Sequence, residues 1–230
     1  MNIAIILSGG VGSRMNMDIP KQYIEVNGKP IIGYCLETFF NNKNIDKIVI
    51  TISNEWRLFV SEFLDRESLY SKCYFAEAGE SRQHSIYNAL KKIRALGASE
   101  DDVVIIHDAA RPLVSQNLIN DCLMKIKDAD AIIPVIPVKD TTYYSKDGVK
   151  IDSLLNRTHL WAGQSPESFR FGKYFRVHEQ SSYDELLSIN GSMEIAYKSG
   201  LCCQMISGDP MNFKITTIED LSNFESIIKM

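Results

Sequence analysis

Residues 1–23 read MNIAIILSGGVGSRMNMDIPKQY, and the fold turns on how this stretch is understood. The run Ile3 to Leu7 is apolar and then breaks into Gly9, Gly10 and Gly12. A buried strand feeding a glycine turn is how an open parallel sheet builds a phosphate-binding edge. Neither common glycine fingerprint is met. A Walker loop needs Lys and then Ser or Thr after its last glycine, where this chain has Ser13-Arg14. The dinucleotide fingerprint needs a third glycine in register and a helix, and Pro20 soon interrupts the chain. The loop ends instead in a guanidinium, Arg14, and then offers Pro20-Lys21.

The rest of the chain repeats the strand signal. Lys47–Ile52, Val103–His107 and Ala131–Val135 are short and rich in Ile and Val, as strands buried on both faces are. Between them lie amphipathic stretches. IIGYCLETFFNN puts Ile32, Cys35, Leu36, Phe39 and Phe40 on one helical face, and SRQHSIYNALKKIRAL does the same with Ile86, Ala89, Leu90, Ile93 and Leu96. Strand alternating with helix predicts an α/β fold, a largely parallel sheet with helices on both faces. No repeat or long linker divides the 230 residues, so one domain is expected. One region breaks the rhythm: residues 139–160 are rich in β-formers around a Lys-Asp-Gly turn, which predicts a projecting β-arm.

Composition narrows the function. A formal charge of −4 gives no general affinity for nucleic acid or anionic membranes. Cysteines 35, 73, 122, 202 and 203 are odd in number and lack C-x-x-C spacing, which fits reduced thiols in a cytoplasmic protein. No apolar run reaches membrane-spanning length, and no signal-peptide pattern opens the chain.

Ligands of such sheets bind beyond the carboxyl ends of the strands, where the loop Ser8–Arg14 belongs. Successive glycines let backbone N–H groups approach a phosphate, Arg14 adds a planar fork of donors and Lys21 a compact ammonium. The plain alternative is a glycine turn with two solvated cations. VVIIHDAARP ends a strand at Asp108, a natural Mg²⁺ ligand beside phosphates or an ordinary helix cap, with Arg111 nearby to hold a second anion. His107 reads better as a structural histidine than as a base. AEAGESRQHS can present Gly79 and the Ser85 hydroxyl to a base edge, or simply cap a helix. FKIT reads as a short strand carrying Lys214, and Thr217 is placed to cap the next helix with Asp220 in its first turn.

Taken in order, GGVGSRM, PKQY, GESRQHS, HDAARP, PVKDT and NFKITT resemble the 2-C-methyl-D-erythritol 4-phosphate cytidylyltransferases and their relatives, the ribitol-5-phosphate cytidylyltransferases. The resemblance spans residues 3–221 and implies a Rossmann-like nucleotidyltransferase fold. It implies transfer of CMP from CTP to a polyol phosphate with release of pyrophosphate and help from Mg²⁺. Arg14, Lys21 and Lys214 would then serve catalysis. Ser8, Gly9, Gly10, Gly12, Gly79, Glu80, Arg82 and Ser85 would bind the nucleotide, and Asp108 the metal. Asp108, Arg111, Thr141, Arg157, Ser165 and Asn190 would meet the acceptor, with Thr141, Arg157 and Ser165 supplied by the partner in a homodimer.

The chain departs from the family pattern twice. Thr-Pro-Gln becomes Ser165-Pro166-Glu167, and Thr-Asp-x-Ala becomes INGSMEIA, with Asn190 for the threonine and Gly191 for the aspartate. Because these departures fall on the acceptor side, the sequence leans to D-ribitol 5-phosphate, giving CDP-ribitol. The methylerythritol acceptor of isoprenoid synthesis is the alternative, and a catalytically silent nucleotide-binding partner protein is the reading from another class.

Overall fold

The computed structural model describes residues 1–10 and 19–229. β1 (Asn2–Leu7) leads, past a 3-10 turn at Lys21–Tyr23, into a small hairpin of β2 (Glu25–Val26) and β3 (Lys29–Pro30). Next come α1 (Ile31–Phe40), β4 (Lys47–Ile52), α2 (Asn54–Arg66) and β5 (Cys73–Glu77). α3 (Arg82–Ala95), β6 (Val103–Asp108), α4 (Gln116–Lys125) and β7 (Ala131–Pro137) follow. Three short strands come after β7: β8 (Thr142–Tyr144), β9 (Ser153–Leu155) and β10 (Trp161–Gly163). The chain then runs β11 (Glu167–Arg170), α5 (Phe171–Gln180), α6 (Tyr183–Ser188), α7 (Ser192–Lys198), β12 (Cys203–Ser207) and α8 (Ile218–Ile228).

Eight strands make one sheet in the order β10-β7-β11-β6-β1-β4-β5, with β12 alongside β7. The pairs β5·β4, β4·β1, β1·β6 and β7·β12 are parallel, while β10 and β11 run antiparallel to their neighbours. The predicted α/β sheet is therefore present as a mixed, mostly parallel one. Its central strands read as unbroken apolar runs because both faces are covered. Ala4 and Ile6 of β1 point into a cluster with Leu36, Phe39, Val60 and Ile119, while Ile3 and Ile5 point into one with Ile86, Leu90, Tyr174 and Ile195. Alternation of side chains along a strand puts one set under α1, α2 and α4 and the other under α3, α5 and α7.

Topology places the site. The chain leaves β1 outward to β4 and β5, then returns to the other side of β1 as β6. The crevice opens where that order reverses. Leu7 pairs with Asp108 across this point, so the loop after β1 and the end of β6 are adjacent.

The β-arm is a hairpin in which Thr142 lies opposite Leu155. Gly148 takes the left-handed backbone of its turn (φ 72°), and Asp147 Oδ1 accepts from the N–H groups of Val149 and Lys150. Val149 and Leu154 are 85% and 65% exposed, apolar surface that the hairpin does not cover by itself. One expectation needs correcting: residues 213–216 form no strand. The segment crosses the end of the sheet, where Ile215 N–H donates to Ala110 O (2.9 Å) and Asn212 Nδ2 to Ser165 O (2.6 Å). Isolated backbone and side-chain bonds hold it in place of a ladder, and Lys214 rides on this loop. Thr217 caps α8 with Asp220 as expected.

Two histidines are fully buried, and burial pushes both imidazoles down to about 4 from an ordinary 6.5. Between these values the unfolded chain binds protons that the folded chain refuses. Stability is therefore complete at neutral pH and falls as pH drops from 6.5 towards 4. The loss by roughly pH 5 is on the order of 2 kcal/mol for each of His107 and His178. Urea unfolding at about pH 7.5 and 5 measures it. His178→Gln should remove about half of the dependence, and a wild-type midpoint that does not move would refute the neutral-histidine assignment.

Candidate active site

The sequence PKQY builds a clamp. Pro20 starts the 3-10 turn with φ −56°, and Gln22 and Tyr23 turn inward. Gln22 Nε2 donates to the carbonyls of Ser8 (2.8 Å) and Gly10 (2.7 Å). Tyr23 OH donates to Ser8 O (2.8 Å), which leaves Ser8 Oγ to donate to the phenol (2.6 Å). The Tyr23 ring stacks on Trp56 at 4.6 Å. The first glycines are thus pinned from below while Lys21, one residue earlier, lines the cavity above. Sequence reasoning named Lys21 and passed over Gln22 and Tyr23.

The opposite wall comes from the turn into α3. Ser81 Oγ accepts from His84 N–H (3.2 Å) and donates to Leu186 O (2.8 Å). Ser85 Oγ accepts from Gly79 N–H (2.9 Å) and donates to Ser81 O (3.0 Å), so it shapes the loop. Tyr183 OH donates to Glu80. Both turns are tight: a Cβ on Gly9 would lie 2.4 Å from the Ala78 Cβ of the facing wall, and one on Gly79 2.4 Å from the His84 Cβ of its own wall. Between them is a cavity of ≈ 480 Å³.

At its floor sits Asp108, only 8% exposed. Arg82 Nη1 donates to Oδ1, Lys214 Nζ donates to Oδ2 (2.9 Å), and Arg111 Nε lies 3.9 Å from Oδ2. Burial opposes the Asp108 charge, but Arg82 and Lys214 outweigh it and hold the carboxyl far below the usual range. Gly9, Gly10, Lys21 and Lys214 line the cavity together with Gly79, Glu80, Arg82, Ser85 and Asp108. Ser8 is buried directly behind them.

A family model described as "IspD: 2-C-methyl-D-erythritol 4-phosphate cytidylyltransferase" matches residues 2–230. The chain belongs to the IspD family of cytidylyltransferases. It is 35% identical over 230 residues to the 2-C-methyl-D-erythritol 4-phosphate cytidylyltransferase of Clostridioides difficile, covering 100% of this chain and 94% of that one. Identity to the ribitol-5-phosphate cytidylyltransferase of a serotype V Streptococcus agalactiae is 30%, covering 99% and 95%. The Francisella tularensis 2-C-methyl-D-erythritol 4-phosphate cytidylyltransferase structure superposes with a TM-score of 0.80 at 30% identity, over 97% of this chain and 99% of that one.

Of the other described residues named from sequence in this IspD-family chain, none lines the cavity. Gly12 and Arg14 lie outside the described residues. Arg111 stands behind Asp108 and donates to Asn212 O (2.6 Å). Ser165 is buried, accepts from Asp108 N–H (3.1 Å) and donates to His107 Nδ1 (3.2 Å). The proton of His107 is on Nε2, since that atom faces the Arg111 carbonyl at 2.9 Å. Asn190 is exposed, and its N–H and that of Gly191 both donate to Glu194 at the start of α7. Thr141 and Arg157 line a separate hollow on the arm, where Arg157 donates to Lys139 O (2.7 Å). Sequence reasoning put Glu167 and the stretch holding Ser192 on the acceptor side and linked neither to Arg82, which both contact from beneath.

A metal fits this donor set in one manner only. Among the described residues no three carboxylates, histidines or cysteines converge. Mg²⁺ takes one or two carboxylates and completes its shell with phosphates and water. Asp108 supplies such a carboxylate at the cavity floor.

Gly9 and Gly10 separate steric need from mere adjacency. Gly10 has open space where its Cβ would be. Gly9→Ala should raise the KM for CTP at least roughly tenfold by forcing the walls apart, and Gly10→Ala by no more than about twofold. Steady-state kinetics of the two variants checks this, and equal effects would contradict it.

Proposed function

We propose that this cytidylyltransferase transfers CMP from CTP to 2-C-methyl-D-erythritol 4-phosphate and releases pyrophosphate. The observation that carries the nucleotide half is the cavity at the reversal of strand order, lined by Lys21 and by Lys214 paired with Asp108. The acceptor half is supported by the higher identity to methylerythritol-named relatives, 35% against 30%. The lean towards ribitol 5-phosphate loses its main footing, because Asn190 and Gly191 serve as the amino end of α7 and Asn190 faces solvent. Ribitol 5-phosphate stays the competing acceptor, favoured by the carboxylate missing at Gly191.

The acceptor phosphate is an anion at neutral pH, so its oxygen attacks the α-phosphorus without a general base. The bond from that phosphorus to the bridging oxygen breaks, and pyrophosphate leaves. Lys21 and Lys214 neutralise the charge gathering on the phosphates, with Arg14 as a further cation. The turn at Gly79–Ser85 and the backbone of Ser8–Gly10 hold the base and sugar. Asp108 would hold Mg²⁺, which supplies charge neutralisation between phosphates when bound.

The arm completes the reading. Thr141 and Arg157 reach the acceptor in a second subunit, and the arm's exposed Val149, Ile151 and Leu154 bury themselves there. Arg157 takes the acceptor phosphate by its planar fork.

Turnover with methylerythritol phosphate and ribitol phosphate side by side decides the acceptor. We expect kcat/KM to favour the former by at least about tenfold, and the reverse ratio would restore the ribitol reading. Lys21→Ala should lower kcat on the order of a hundredfold, and a change confined to the KM for CTP would make Lys21 a binding residue only. Subunit sharing has its own test. Lys21→Ala and Arg157→Ala protein, each inactive alone, should regain about a quarter of wild-type activity on exchange of subunits. A mixture that stays inactive after verified exchange would mean that each chain completes its own site.

A further inference from the structure

Two adjacent glycines follow Ser8, and glycine has more backbone freedom than any other residue. A loop that binds phosphates tightly has to lose that freedom, and the structure removes it from one side. Gln22 Nε2 carries two protons and gives one to Ser8 O (2.8 Å) and the other to Gly10 O (2.7 Å). Tyr23 OH donates to the same Ser8 carbonyl (2.8 Å). Gln22 and Tyr23 are 4% and 3% exposed, so the Ser8 carbonyl points into the protein.

A trans peptide is planar, and its C=O and the following N–H point in opposite directions. The Ser8–Gly9 bond is trans. Turning the Ser8 carbonyl inward therefore turns the Gly9 N–H outward, towards the cavity that Gly9 lines. Gly10 O, held by the second amide proton, restrains the step between the two glycines from its other end. Gln22 itself borders the cavity, but both of its protons are committed and its oxygen only accepts. A phosphate finds no donor on that side chain. The donor it meets is the backbone N–H that the side chain has aimed.

We propose that Gln22, seconded by Tyr23, is a positioning residue for the nucleotide: by holding the Ser8 and Gly10 carbonyls it presents the Gly9 N–H to a phosphate of CTP. This rests on the reading above that the cavity takes the triphosphate. An amide already aimed binds a phosphate oxygen without first ordering the loop, and that ordering is a cost binding otherwise bears. Lys21 contributes charge from the neighbouring residue, and Gln22 contributes direction.

Titration calorimetry in the absence of acceptor measures CTP affinity without turnover. Gln22→Met keeps the length of the side chain and removes both donors. It should weaken CTP about tenfold, while cytidine, which has no phosphate, stays within about twofold. Tyr23→Phe leaves Gln22 in place and should weaken CTP by about threefold. In a Lys21→Ala background Gln22→Met should still weaken CTP about tenfold, because amide and ammonium meet the phosphates through different atoms. Unchanged CTP affinity in Gln22→Met overturns the proposal. So does an equal loss for CTP and cytidine, which would make Gln22 a support of the whole pocket. An effect that vanishes in Lys21→Ala protein overturns it too, since Gln22 would then act by placing that lysine. Should Gln22→Met fail to fold, Tyr23→Phe carries the same comparison of CTP with cytidine. Wild-type protein that binds CTP no more tightly than cytidine defeats the reading beneath. A wild type that prefers CTP, with Gln22→Met unimpaired, defeats this inference alone.

Discussion

A buried carboxylate must find cations or remain uncharged, and much of the site follows from how Asp108 meets that demand. Its place is fixed by β6, at the register that pairs it with Leu7. Its partners come from distant parts of the chain: Arg82 from the start of α3 and Lys214 from the loop before α8. Removing one cation would leave the buried carboxylate less compensated, which destabilises the fold. The ion cluster is therefore also a fold constraint. It ties the amino end of α3 and the carboxyl-terminal segment to the centre of the sheet.

The walls obey a different rule, that of backbone proximity. Gly9 and Gly79 are glycines because the strand ends carry their loops closer than a Cβ permits. Such an approach needs bracing from outside. Gln22 and Tyr23 supply it on one side, Ser81 and Ser85 on the other, each satisfying backbone groups that the irregular turns leave open. The turn that carries Gln22 and Tyr23 also sets Lys21 on the cavity wall.

The sequence made the parallel core legible because its strands are buried on both faces, and Ile3–Leu7 or Lys47–Ile52 then show no polar alternation. The β-arm was legible from its turn chemistry at Asp147-Gly148. Lys214 misled, since FKIT has β-forming residues but crosses the sheet end, where no neighbouring strand completes a ladder. The cavity residues were named through ordered motifs. Glu167 and Ser192 were invisible as partners because their meeting with Arg82 depends on β11 entering between β6 and β7, a pairing that no local pattern encodes. Ser165 was placed on the acceptor side by resemblance, whereas its hydroxyl is engaged with Asp108 N–H and His107.

These features give the site its chemical character. Before any nucleotide arrives, Lys214 and Arg82 already have an anionic partner, so the cations are held in place at little risk of repelling one another. A triphosphate entering the cavity exchanges one set of anions for another around fixed positive groups. Stabilisation of charge at phosphorus then requires little rearrangement at the moment of attack, which is where electrostatic preorganisation has its effect. Asp108 serves as counter-ion in the empty cavity and, on the proposed reading, as metal ligand in the filled one. A carboxylate with both tasks has to be held firmly, and the Arg82 and Lys214 bonds to its two oxygens do that.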